Sequence, residues 1–124
     1  MGGNGMSIIS KVLATLVALE FFYIMYLETF STSSASTSRV FKMDLSELSR
    51  DSVSTLFKNQ GVYNGLIAIL ILFSVFVFPS KTYTMLYMGY IILVAAFGSL
   101  TSSKDIILKQ GGLAIITLIT LFVL

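Results

Sequence analysis

The chain has no cysteine and no histidine. Disulfides and thiolate metal sites are therefore excluded, and the commonest proton shuttle and metal ligand is missing. No metal and no cofactor is expected. Tryptophan is absent too, so tyrosine must supply any aromatic belt at a membrane surface. Charge is equally scarce: 11% of the residues are charged, against about 25% in a soluble domain. The net charge of +2 is too small and too dispersed to indicate a nucleic-acid partner. What is abundant is apolar surface. Of the 124 residues, 56% are hydrophobic, and the length holds one domain.

Four apolar runs organise the chain, at 12–30, 62–78, 83–100 and 106–124. Each is near the minimum length for a helical membrane span. Pro79-Ser80-Lys81 breaks the chain between the second and third, and 101–105 separates the third and fourth. Loops this short force antiparallel neighbours. The expectation is an all-α integral membrane four-helix bundle over 6–124, with Met1–Gly5 read as a tag remnant.

Between the first two runs, Ser31–Ser38 reads as a polar linker that does not pack. Asp44-Leu45-Ser46-Glu47 then has capping-box spacing, with Asp in place of Ser or Thr. Phe41, Leu45, Leu48 and Leu56 share one side of a helical wheel. One or two amphipathic connector helices are expected over 44–58, lying at the membrane interface, with Asp51 as a second cap.

Arg39, Lys42, Arg50, Lys58 and Lys104 fall on one side of this arrangement, and Lys11 and Lys81 on the other. The positive-inside rule places the first set in the cytoplasm and both termini outside, in the cytoplasmic membrane of a bacterium.

The polar residues inside the apolar runs are the candidates for chemistry. Glu20 and Glu28 lie within the first run. A charge at bilayer depth costs several kcal/mol and usually faces a partner or a wet cavity. Eight residues of helix put Glu20 about 12 Å deeper than Glu28, about 80° away in azimuth. The second run opens with Asn59-Gln60-Gly61-Val62-Tyr63-Asn64-Gly65. Gln60 and Asn64 share one helix face, and Asn59 and Tyr63 the adjacent one. Gly61 and Gly65 form a small-xxx-small pair that admits another backbone. Lys109 and Gln110 open the fourth run. The end of the first run and the starts of the second and fourth share one depth. A polar pocket is expected there, built from Glu28, Asn59, Gln60, Tyr63, Asn64 and Gln110, with Glu20 at its floor. The competing reading is that the amides are interhelical glue.

These residues carry a resemblance. Leu19-Glu20, Tyr23-Ile24-Met25-Tyr26-Leu27-Glu28, Asn59-Gln60-Gly61-Val62-Tyr63-Asn64-Gly65 and Gln110-Gly111 resemble the small bacterial membrane proteins catalogued as domain of unknown function 1304. The resemblance covers nearly all of the chain from Met6 onward. It implies four spans and a bacterial inner membrane, and no established activity. In size, and in carrying a glutamate in the first span, the chain is also similar to small multidrug-resistance transporters. The long connector departs from their short loops.

Two functions of different class follow. The first is transport or binding of a small cationic or amphiphilic molecule, with proton and ligand competing for Glu20. The second is a membrane-embedded enzyme acting on a lipid or isoprenoid through Glu20 and Glu28 as acid and base. A structural or accessory role is the bland alternative. The expected partners are the lipid bilayer and a small molecule or lipid. Four short spans enclose little volume, so a homo-oligomer is a further expectation.

Overall fold

Apolar stretches with no interior proline satisfy their backbone most simply as helix, and in lipid that is one of only two ways to do so. The computed structural model describes residues 5–101 and 106–124. Among them every regular element is helical, so the fold is all-α. The expected tag remnant lies outside the described residues except for Gly5, as do 102–105 of the expected loop, Lys104 included.

Helix α1 runs Ile8–Met25 and continues as one π-helical turn, Tyr26–Phe30. Helix α2 is Ala35–Phe41 and α3 is Leu45–Leu48. Helix α4 runs Asp51–Leu72 and continues as a second π-helical turn, Phe73–Val77. Helix α5 is Lys81–Thr101, α6 is Ile106–Lys109 and α7 is Gly112–Val123. Three of these stretches, Ile8–Phe30, Asp51–Val77 and Lys81–Thr101, are long and apolar enough to cross a membrane.

The fourth apolar run differs from the expectation. Gln110 and Gly111 interrupt it, leaving α7 with 12 residues. That is about 18 Å of helix, against about 30 Å of hydrocarbon. The cause is local: Gly111 and Gly112 are adjacent, and glycine is the poorest helix former after proline.

The connector also departs from the reading of its sequence. Residues 35–41 are helix where a linker was expected. Ser34 caps this helix by accepting from the Thr37 amide at 3.1 Å, so the serines and threonines act as caps rather than as spacer. Thr37 is fully buried. Asp44 stands at the N-cap of α3, but its side chain accepts no capping hydrogen bond, so the capping box does not form. Asp51 begins α4 instead of capping a separate short helix. Residues 51–58 are thus the first two turns of the second long helix. Of the expected apolar face, Leu48 is buried and Phe41 packs edge-on against Phe57 at 5.2 Å, while Leu45 and Leu56 are exposed.

The chain forms two units, one from the N-terminus to Ala18 together with Ile69–Leu124, the other Leu19–Ala68. In the first, α5 packs on α6 and α7. Its core includes Ala14, Val17, Ile71, Met88, Ile91 and Leu121. Two hydroxyl pairs cross it, each at 2.8 Å: Ser10 with Thr120, and Ser74 with Thr84. The first pair sets the start of α1 beside the end of α7. The second unit holds the C-terminal end of α1, the connector and the N-terminal part of α4. Its core is Phe21, Ile24, Leu27, Leu48, Ile67 and Ala68, and the polar Glu28, Thr32 and Thr37.

Candidate functional site

The site forms where α1 meets α4 inside the second unit, and two glycines make the meeting possible. A Cβ added at Gly61 would collide with the Thr29 hydroxyl and lie 3.1 Å from the Thr29 backbone nitrogen. A Cβ at Gly65 would collide with the Met25 sulfur. The small-xxx-small pair therefore receives α1, one glycine facing Thr29 and the other Met25. Thr29 completes the contact by donating its hydroxyl to the Lys58 carbonyl at 3.1 Å.

This close approach brings the Glu28 carboxylate between two amides. Gln60 Nε2 donates to Oε2 at 2.7 Å, and Asn64 Nδ2 donates to Oε1 at 2.6 Å. Glu28 has no solvent exposure. Both of its oxygens are satisfied, as a buried carboxyl group requires. Gln60 and Asn64 are four residues apart and so lie one above the other on the face that meets α1.

The π-helical turn positions Glu28. The Ser31 amide bonds to the Tyr26 carbonyl at 3.0 Å, five residues back, which widens the helix there. The carbonyls freed at this end find donors in the connector. Thr32 Oγ1 donates to the Glu28 carbonyl at 2.6 Å. Thr37 Oγ1 lies 3.1 Å from the Leu27 carbonyl and 2.6 Å from the Ser31 carbonyl, which it bridges. Sequence reasoning missed Thr37. Its signal was the Ser34-Ala35-Ser36-Thr37 spacing of an N-cap, obscured by the polar composition around it.

Glu20 is different. It lies two turns earlier on α1 and is half-buried. Its Oε1 is buried and, among the described residues, has no hydrogen-bond partner. One helix thus carries two carboxylates in unequal settings, one saturated with donors and one not.

The remaining expected site residues do not join the Glu28 cluster. Tyr63 is 72% exposed, and Asn59 is also exposed, because both lie on the face of α4 turned away from α1. Gln110 belongs to the first unit, at the break between α6 and α7. Among the described residues no group of His, Cys, Asp or Glu has a metal-binding arrangement.

Comparison with known proteins bears on the whole chain. The model of a family described as "Protein of unknown function (DUF1304)" matches residues 15–122. The uncharacterized protein YpaA of Lactococcus lactis subsp. lactis (strain IL1403) is 59% identical over 118 residues, covering 94% of this chain and 99% of that protein. No solved structure matches.

Proposed function

The chain belongs to the DUF1304 family, and on that footing we propose that it is a multi-pass membrane protein that binds or transports a small cationic or amphiphilic molecule, with Glu20 as the exchanging carboxylate. One observation carries this reading: Glu28 has a donor on each oxygen, while the buried Oε1 of Glu20 has none. A buried carboxylate lacking a partner is completed by a proton or by a cationic ligand. Glu28, by contrast, is an anchor that joins α1 to α4. Gln60 and Asn64 serve that anchor.

Three further features support a membrane placement. Three helices have spanning length and apolarity. The Ser10–Thr120 bond puts the start of α1 beside the end of α7, as an even number of passes would, with α6 and α7 forming the shorter return. The basic residues of the connector favour a cytoplasmic side for it, and so both termini outside, in a bacterial cytoplasmic membrane.

The test is binding of tetraphenylphosphonium to the purified protein in lipid nanodiscs. Binding should weaken as the pH falls and be lost in Glu20→Gln. Binding that is independent of pH and unchanged in Glu20→Gln would reject exchange at Glu20. In that case the saturated Glu28 site favours the second reading, a purely structural role for the buried polar groups.

A further inference from the structure

Beyond the end of α1 lies an open depression of about 510 Å³ whose lining is more polar than apolar and is rich in serine and threonine. It is formed by Thr29, Ser31–Ser34, Phe30, Ser54 and Lys58, all in the second unit. Several of these hydroxyls already have work. Thr29 and Thr32 donate to backbone carbonyls, and Ser34 caps α2. Three groups remain without a protein partner among the described residues: the Ser31 hydroxyl, the Ser54 hydroxyl and the Lys58 ammonium. Two hydroxyl-bearing residues and one cation are thus in the lining, and no carboxylate is. Asp51, one turn before Ser54, is exposed and does not contribute to the lining.

The end of a helix normally repels anions through its free carbonyls. Here three carbonyls at this end are covered. Leu27 and Ser31 accept from Thr37, and Glu28 accepts from Thr32. The nearest buried negative group, the Glu28 carboxylate, is occupied by Gln60 and Asn64. The depression therefore keeps its ammonium and hydroxyls without a carboxylate in its lining.

We infer that this depression is an oxyanion site that takes a phosphate group at the level of the lipid headgroups. It rests on the membrane placement proposed above, but not on exchange at Glu20. The level follows from position. Phe30 ends the first spanning stretch, and Lys58 lies early in the second. Phe30 is 72% exposed at the rim, where an aromatic ring suits the interfacial zone. Lys58 supplies the charge-assisted bond, and Ser31 and Ser54 supply the neutral donors.

The phosphate has two sources, which the experiment separates. Full-length protein in detergent is titrated with dihexanoyl phosphatidylglycerol and, separately, with inorganic phosphate. Wild type is compared with Lys58→Gln, Lys58→Arg and the double variant Ser31→Ala, Ser54→Ala. These side chains have no partner to lose, and circular dichroism and thermal unfolding check that folding is unchanged. Losing one cation near the surface should weaken phosphate binding about fivefold, and Lys58→Arg should restore most of it. The serine variant should weaken binding to a smaller extent. Binding of the lipid but not of inorganic phosphate identifies a headgroup site, and the reverse identifies a soluble oxyanion. Equal binding of both probes by wild type and Lys58→Gln, or no binding of either, would overturn the inference. Loss of tetraphenylphosphonium binding in Glu20→Gln has no bearing on this result, so the two proposals fail separately.

Discussion

Asn64 of α4 donates a 2.6 Å hydrogen bond to the Glu28 carboxylate of α1. With its neighbour Gln60 on the other carboxyl oxygen, it makes a buried carboxyl group the joint between two helices. A bond of this kind is worth more than a neutral one, and removing either partner leaves a buried group unsatisfied.

A double-mutant cycle measures that joint. Asn64→Leu and Glu28→Gln are each expected to destabilise the detergent-solubilised protein. The coupling between them should be about 1.5–3 kcal/mol, the range for a hydrogen bond to a charged group. Thermal or denaturant unfolding gives the four corners. Coupling near zero would mean that the two side chains act independently.

The glycine pair makes a contrasting prediction. At Gly61 a new Cβ meets the Thr29 hydroxyl, its Cβ and its backbone nitrogen, none of which can move far. At Gly65 it meets chiefly the end of the flexible Met25 side chain. Gly61→Ala should therefore cost about 1–3 kcal/mol, and Gly65→Ala clearly less. Met25→Ala should relieve part of the Gly65→Ala cost and none of the Gly61→Ala cost. Unfolding midpoints of the single and double variants decide it.

The connector is expected to be structural rather than a passive tether. Thr37→Val keeps the shape of the side chain but removes the donor that serves the Leu27 and Ser31 carbonyls. A loss of about 1–3 kcal/mol is expected. Hydrogen exchange should quicken in α2 and in the turn Tyr26–Phe30. Unaltered exchange there would show that Thr37 does not hold this end of α1.

Much of this was legible in the chain itself. A carboxylate in an apolar run must find donors, and the amides at the right depth were Gln60 and Asn64. The spacing of Gly61 and Gly65 marked the contact face of α4. Other features were hidden for physical reasons. Ser31–Ser38 has the composition of a linker, yet Ser34 and Thr37 act through hydrogen bonds to backbone in another segment, which local composition does not encode. Residues 51–58 carry charge and so resemble a surface helix, but nothing between Lys58 and Val62 breaks the helix. The fourth run was counted by its apolarity, while the adjacent glycines at Gly111 and Gly112 decided its helical length. Depth alone grouped Asn59 and Tyr63 with Gln60 and Asn64. The azimuth around α4 separates them.

The division between an exchanging Glu20 and an anchored Glu28 is tested most directly by pH-difference infrared spectroscopy of the protein in lipid. Wild type is compared with Glu20→Gln and with Glu28→Gln. A carboxyl carbonyl signal that appears and disappears with pH is expected in wild type and in Glu28→Gln, and should be absent in Glu20→Gln. A signal that persists in Glu20→Gln and vanishes in Glu28→Gln would assign the exchanging proton to the amide-bound glutamate and contradict the division.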